Sequence, residues 1–286
     1  MSNRPHVDPL HPMKTLQRRA AAARLLRLAC AALLWPAAGR AQEGAAAPDA
    51  DKVRAMLERC DGYRNPDFSY SARVVLTEFK AGQKGDALTL RLYARPAGQK
   101  GQFHTLVSFL QPARELGKHM LKAGSDVWFY DPASSASIRL SPMQRLLGQA
   151  ANADVVSTSF SAEYQPRFKA AESIVDGDRQ RRAAWQLELT PLQAGVGYAR
   201  IVLWLDAESA APLRARFYSD SGALLKTVFY RRPREELGLV RPTEYVIIDG
   251  TDPKSVTLMQ FDEYKAVDVP AQWMQKDSLP LLKVSP

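Results

Sequence analysis

The chain has 286 residues, of which 46% are hydrophobic, and it carries a formal net charge of +9 and two cysteines. This length is within reach of a single large β domain and can supply it with a buried core. One of the two cysteines lies in a segment that we expect to be removed, which excludes a domain held together by internal disulfides.

Residues 1–41 have the pattern of a secretory signal peptide. Basic residues flank an apolar run at residues 25–35, and Gly39 and Ala41 occupy the small positions before the predicted cleavage site after Ala41. Removing this segment removes seven of the 39 Lys and Arg residues and one of the 30 Asp and Glu residues, which leaves a net charge close to +3. The basic charge therefore belongs mostly to targeting, and we expect no nucleic-acid partner.

Lipid anchoring at Cys30 is not expected. Cys30 lies inside the apolar run, but Arg27 stands three positions before it, where a lipoprotein signal has a Leu-like residue. The sequence therefore predicts export to the periplasm of a Gram-negative cell. Residues 42–50 are expected to form a flexible lead-in, and residues 51–286 one domain.

The first element expected in this domain is an amphipathic helix over residues 51–60. Asp49 or Asp51 can cap its start and Gly62 follows its end, while one face is apolar, with Val53, Met56, Leu57 and Cys60. Such a face must cover another apolar surface.

Alternating apolar and polar residues then predict half-buried strands. Gly-containing turns separate three of them between residues 68 and 111. Their apolar sides carry Val74, Leu76, Leu90, Leu92, Val107 and Phe109.

The next strand contains three consecutive aromatic residues, Trp128, Phe129 and Tyr130. Neighbouring residues in a strand face opposite ways, so these three cannot form one aromatic cage. We expect Val127 and Phe129 to face inward, and Trp128 and Tyr130 to lie under a loop or the tail of the chain.

A second helix is expected over residues 142–150, where it would form a lid. Ser141 can cap this helix and Pro142 suits its first turn. Its apolar side would carry Met143, Leu146 and Leu147.

Strands resume after the lid, with Trp185, Leu187 and Leu203 on their apolar sides and a docked tail or short helix at the end. Eleven or twelve strands without a parallel βαβ pattern predict a mainly β fold. We expect a single-domain, incomplete (half-open) antiparallel β-barrel of about 11 strands with a lid of short α-helices. Its concave side would hold either an apolar cavity or a fully packed core, and the pattern leaves both open.

Residues suited to catalysis or metal binding are sparse. Only His104 and His119 follow the signal peptide, and no Cys/His cluster, nucleophile elbow or phosphate-binding loop accompanies any strand. Two Asp-rich segments, at residues 175–180 and 249–254, lack calcium-loop spacing and are typical of turns. We therefore predict no catalytic residue, no metal site and no cofactor.

Several segments together resemble one known family. The motifs GKHML, VWFYDP and IRLSPMQRLLG, at residues 117–121, 127–132 and 138–148, have the order and spacing of the LolA-like outer membrane lipoprotein-sorting family. The strand WQLELTP at residues 185–191 is also similar, and the resemblance runs from about Lys52 to Leu282. It implies the fold of the periplasmic carriers LolA and LolB, in which a lidded half-barrel binds lipid or lipoprotein acyl chains. In the family an arginine latches the lid, for which Arg73 and Arg91 are the candidates here.

Two functions follow as hypotheses. The first is a monomeric carrier whose inward apolar residues, named above from Val74 to Leu203, line a cavity for lipid or acyl chains. The second is a non-catalytic accessory subunit or scaffold of an inner-membrane ABC or RND-type exporter, without a cavity, which would dock through the charged run at residues 231–236. A hydrolase would need a buried Ser, Asp or Glu paired with His104 or His119, and the spacing of the sequence does not indicate one.

Overall fold

The computed structural model describes residues 47–98, 102–156, 158–193 and 196–282. These described residues belong to one compact unit. The predicted signal peptide, its cleavage site and Cys30 lie outside the described residues.

The first helix, α1, runs from Ala50 to Arg64. The Asp49 carboxylate caps it by accepting a hydrogen bond of 2.7 Å from the backbone N–H of Lys52. Val53, Leu57 and Cys60 on one face are buried in the main hydrophobic core. The expected amphipathic helix is therefore confirmed, although it continues for one more turn than the pattern predicted.

Fifteen strands and two further short α-helices follow in the described part of the chain. The helices are α2 (Asn152–Val155) and α3 (Phe160–Glu163). In chain order the strands are β1 (Tyr70–Lys80), β2 (Gln83–Pro96), β3 (Phe103–Gln111), β4 (His119–Ala123), β5 (Asp126–Asp131), β6 (Ala136–Leu140), β7 (Arg145–Leu147), β8 (Ala150–Ala151), β9 (Tyr164–Val175), β10 (Arg181–Pro191), β11 (Arg200–Asp206), β12 (Pro212–Tyr218), β13 (Leu224–Glu236), β14 (Leu239–Asp249) and β15 (Ser255–Ala266).

Thirteen of these strands form a single antiparallel sheet in the order β6-β5-β4-β3-β2-β1-β15-β14-β13-β12-β11-β10-β9. The first and last strands of the domain, β1 and β15, pair in the interior of this sheet, while β6 and β9 are its edges. The sheet is not closed, so the expected half-open antiparallel barrel is confirmed. The sheet has two strands more than the eleven predicted, because residues 119–123 and 164–175 also pair in it as β4 and β9. The strands β7 and β8 pair only with each other.

The two faces of the sheet have separate hydrophobic clusters. The concave face carries the main core, which α1, α2 and α3 help to cover. On the convex face of β2–β5, a smaller cluster packs under two 3-10 helices of the C-terminal tail, Ala271–Met274 and Lys276–Leu281. The docked tail expected from the sequence is thus confirmed.

The aromatic strand β5 follows the same division. Val127 and Phe129 belong to the concave core, whereas Trp128 and Tyr130 belong to the cluster under the tail. Lys276 of the tail lies 4.6 Å from the Trp128 ring. The predicted orientation of these aromatic residues is confirmed.

The helix predicted over residues 142–150 is wrong. This segment forms a turn followed by the small hairpin β7–β8, and helical structure begins only with α2 at Asn152. Ser141 does accept a hydrogen bond from the backbone N–H of Met143, but a helix does not continue from there. Gly148 has a φ of +53°, and a Cβ at this position would lie 2.4 Å from the Thr257 hydroxyl, so only glycine fits this close approach to the sheet.

None of the helices in the described ranges is both long enough and apolar enough to cross a lipid bilayer.

Candidate functional site

A cavity of about 320 Å³ lies between the concave face and the segments that cover it. Its floor comes from four neighbouring strands, β12 to β15, through Phe217, Val228, Tyr230, Tyr245, Ile247 and Met259. The cover comes from the end of α1, from residues 153–156 and 158–164 around α2 and α3, and from residues 196–198. Phe103 and Val127 close one side. The volume is at the lower end of the range for small-molecule sites, about 300 to 1,000 Å³.

The strand residues predicted from alternation mostly lie beside this cavity and not on its wall. Val127 lines it, and Phe129 packs against the concave core. Trp185 is partly buried, with its ring centroid 5.6 Å from that of Phe168. The others are buried in the main core, namely Val74, Leu76, Leu90, Leu92, Val107, Phe109, Leu187 and Leu203. Contact between these residues and a ligand stays a prediction.

The predicted lid residues do cover the concave core, although not as a helix. Met143, Leu146 and Leu147 are partly buried and pack against it. We call residues 141–155 the lid segment, because its hairpin lies over β1 and β2 and its short helix α2 reaches the cavity.

Sequence reasoning missed the polar groups of the cavity wall. Four tyrosines line it, Tyr164, Tyr198, Tyr230 and Tyr245, together with Arg64, Lys122, Asp154 and Glu163. Burial raises the pKa of Tyr245 to about 12, so its phenol is neutral and can donate a hydrogen bond at pH 7. The signal that could have found two of these tyrosines is the alternation of β13 and β14, which places Tyr230 and Tyr245 at inward positions.

An ion pair holds the lid segment to the sheet. Lys226, on the inner face of β13, binds the Asp154 carboxylate of α2, and both side chains are buried. Asp154 also accepts hydrogen bonds from the Tyr198 hydroxyl at 3.0 Å and from the Ala151 backbone at 2.7 Å. Burial lowers the pKa of Lys226, and Asp154 opposes this by favouring the charged ammonium. This group therefore ties the lid segment, the loop that contains Tyr198, and the floor of the cavity together.

A second ion pair ties α3 to the other side of the cavity. The Lys122 ammonium of β4 lies 2.7 Å from the Glu163 carboxylate at the end of α3. The two arginines considered as latches have different partners. Arg73 binds Asp262 at 2.7 Å and Arg91 binds Glu263 at 2.7 Å, both on β15, and neither arginine is on the cavity wall. They alternate with inward residues and thus join strands along the convex face.

Arg64 is the charged residue most closely associated with the cavity's aromatic wall. Its side chain is nine-tenths buried at the end of α1, and its guanidinium carbon lies 4.0 Å from the centroid of the Phe160 ring. One terminal nitrogen donates to the Thr158 carbonyl at 3.0 Å. Within the described residues, its Nε is buried without a hydrogen-bond partner.

The one buried Ser–His pair that the structure shows is outside the cavity wall. Ser108 Oγ and His119 Nδ1 are 3.0 Å apart on the convex face, where His119 stacks on Tyr130 and lies near the backbone of Leu282 in the tail. The pair is covered by the tail and connects it to the sheet. Within the described ranges, no group of three His, Cys, Asp or Glu side chains is placed to hold a metal ion.

Comparison with known proteins finds one matching family model and solved structures with a similar fold. A family model described as "Uncharacterized protein" matches residues 101–280. No curated protein matches the sequence. Two solved structures share the fold at low identity. A DUF1329 family protein from Desulfovibrio piger has a TM-score of 0.69 and 21% identity, over 80% of this chain and 98% of that one. A domain described as an outer membrane lipoprotein-sorting protein, from Vibrio parahaemolyticus, has a TM-score of 0.68 and 20% identity, over 81% and 100%.

A third solved structure is similar in sequence as well as fold. It is the LolA superfamily protein NE2245 from Nitrosomonas europaea, with a TM-score of 0.70 and 32% identity. The match covers 79% of this chain and 98% of that chain. This identity, together with the shared fold over nearly the whole of the related chain, shows that the chain belongs to the LolA superfamily.

Proposed function

We propose that the protein is a periplasmic carrier, exported by a cleaved signal peptide, that binds lipid or the acyl chains of a lipoprotein and transfers them toward the outer membrane. The observation that supports this most is the cavity itself, which has an aromatic and aliphatic floor under a segment held by a buried ion pair. It would act as a monomer and without catalysis, and an inner-membrane ABC or RND-type exporter would supply the cargo.

The energetics of such binding come from the apolar floor. Burying each CH₂ group of an acyl chain is worth about 0.8 kcal/mol, so a chain with ten buried groups gains about 8 kcal/mol before the losses of freedom on binding. The predicted residues of the packed core, such as Leu90 and Val107, would contact a longer chain only if the lid segment moved away from β1 and β2.

Release would require the cover to open, because the ion pair between Lys226 and Asp154 and the one between Lys122 and Glu163 hold it from two sides. An acceptor with a more favourable apolar surface would then take the cargo.

The test is direct detection of cargo. The full chain is expressed with its signal peptide in a Gram-negative host and recovered from the periplasmic fraction. We expect native mass spectrometry to show bound lipid, and fatty acids to displace an environment-sensitive dye from the delipidated protein.

A matched pair of variants locates the binding. Val228→Phe narrows the cavity from its floor, whereas Val246→Phe adds the same volume to the partly exposed opposite face of the neighbouring strand. We expect only the first to weaken binding. Absence of both lipid and dye displacement would instead favour the exporter-scaffold hypothesis.

A further inference from the structure

The cavity wall has a cation, Arg64, whose hydrogen-bonding capacity is only partly used by the protein. We infer that Arg64 binds an anionic group, a carboxylate or a phosphate, at the end of the lipid ligand. This inference rests on the proposed carrier function and specifies the class of ligand.

Two other cations, one on the cavity wall and one beside it, already have carboxylate partners. Lys122 has a carboxylate partner at 2.7 Å, and Lys226 is paired with Asp154. Arg64 has no such close partner among the described residues, since its nearest carboxylate oxygen, on Asp61, is 3.5 Å away.

Asp61 is already occupied by other donors. Its oxygens accept hydrogen bonds from the Ser159 hydroxyl at 2.9 Å and from the backbone N–H groups of Phe160 and Ser161 at 2.9 and 2.7 Å. The carboxylate therefore holds the start of α3, and its charge neutralises Arg64 only in part.

Arginine stays charged in proteins and presents five N–H donors in a planar fork that matches carboxylate and phosphate oxygens. A hydrogen bond from a charged guanidinium to such an oxygen is stronger than one between neutral groups, so an anion in the cavity can pair with the N–H groups of Arg64 that the protein leaves unused. Phe160, stacked on the guanidinium, holds the plane of the fork.

The neighbouring groups favour the same position for the anion. Tyr230 and Tyr245 are on the cavity wall and interact electrostatically with Arg64, so they place neutral hydroxyl groups near it. A polar cleft adjoins the cavity at Gln102, Phe103 and Ala162. It is a less suitable place for the anion, because three carboxylates, Glu58, Asp61 and Asp67, line it with one arginine, Arg54.

The experiment compares three ligands of equal chain length. Dodecanoate, dodecyl phosphate and 1-dodecanol displace a neutral dye from the delipidated protein at pH 8. We expect at least one of the two anions to bind ten-fold or more tightly than the alcohol, and the tighter one identifies the head group.

The variant Arg64→Met then tests the residue. The anion-to-alcohol affinity ratio is expected to fall to about 1, because methionine has no charge or N–H group that distinguishes an anion from the alcohol. Using this ratio within one variant cancels any general loosening of the cavity. If Arg64→Met does not fold, Arg64→Lys decides, because it keeps the charge and loses the fork, and the ratio is expected to fall several-fold.

The outcomes separate the two proposals. A ratio near 1 in the unmodified protein, or an unchanged ratio in the variants, overturns the role of Arg64 and leaves the carrier intact. Failure of all three ligands to displace the dye overturns the carrier proposal together with this one.

Discussion

The concave face has two halves that use apolar residues differently. In the packed half, β1–β3, most inward residues are aliphatic, and Val74, Leu76, Leu90 and Val107 are fully buried. In the open half, β12–β15, the inward residues include Phe217, Tyr230 and Tyr245, and a cavity remains above them.

The difference shows what produces a cavity in this fold. In the packed half the lid hairpin lies over β1 and β2, and its Leu146 and Leu147 pack against the aliphatic core. Rigid aromatic rings that carry hydroxyl groups, facing Arg64 and a salt-bridged helix of one turn, fill space less completely. Polar groups at inward positions therefore indicate a site better than the length of an apolar pattern does.

The largest expected effect comes from the ion pair that covers the open half. Asp154→Ala leaves the Lys226 charge buried without its partner, which is expected to lower the free energy of unfolding by about 3 to 5 kcal/mol. Urea unfolding measures this. In the double variant Asp154→Leu with Lys226→Met the charge is gone, and much of the stability is expected to return. We also expect ligand exchange to be faster in the double variant, because the ion pair no longer holds the lid segment to the sheet. Unchanged exchange would show that the ion pair does not hold the cover of the cavity.

A matched pair of truncations compares the halves themselves. Val107→Ala, in the packed half, is expected to lower the free energy of unfolding by about 2 kcal/mol, because both the buried methyl groups and the packing around them are lost. Val228→Ala, beside the cavity, is expected to lower the free energy of unfolding by only about 1 kcal/mol, since the methyl groups of Val228 face the cavity and contact fewer neighbouring atoms. Equal losses in urea unfolding would contradict the distinction between the halves.

Acidification is expected to loosen the tail that covers the convex side of the packed half. Burial lowers the pKa of His119, so the unfolded chain takes up a proton at a higher pH than the folded one. Stability is therefore fully present above pH about 6.5 and falls as the pH drops through the lower pKa of the folded state. The loss is about 1.4 kcal/mol for each unit between the two pKa values.

Measuring the free energy of unfolding between pH 7.5 and 5.5 checks this. The pKa of His104 is lowered too, by burial and by Arg95, so His119→Asn is expected to make the fall shallower without removing it. A slope that is unchanged in this variant would refute the assignment to His119.

The smallest effect is expected from the convex face. Arg73 is a partly exposed strand residue that pairs with Asp262, and such pairs contribute about 0 to 1 kcal/mol. Arg73→Ala is therefore expected to leave ligand exchange unchanged in a stopped-flow dye assay. If Arg73→Ala accelerated ligand exchange as much as the Asp154 variants do, Arg73 would be the residue that holds the lid segment closed.

Much of the fold could be predicted from the sequence. The alternation of β1–β3 and β10–β11 identified inward residues correctly, because a period of two leaves a strand only two faces. The orientation of Val127 and Phe129 and the docked tail followed from the same rule.

The errors have local physical causes. The predicted helix at residues 142–150 does not form, and this segment bonds to the sheet instead. Gly148 lies close to the Thr257 hydroxyl, which accepts a hydrogen bond from the Gln149 backbone, and this contact exists only once the sheet has folded. The cavity could not be located from the pattern, since Val107 and Val228 are both inward valines and differ only in what lies above them. The partners Lys226 and Asp154 are separated by 72 residues and lack any motif that connects them.

Photo-crosslinking tests the central claim, that the open half binds the acyl chain, most directly. A fatty acid with a diazirine near its end is bound to the full chain, irradiated, and its attachment sites are mapped by peptide mass spectrometry. The account predicts attachment at the floor of the cavity, at Phe217, Val228, Ile247 and Met259. Attachment mainly at Leu90, Val107 or the convex face, with the floor unlabelled, would contradict it.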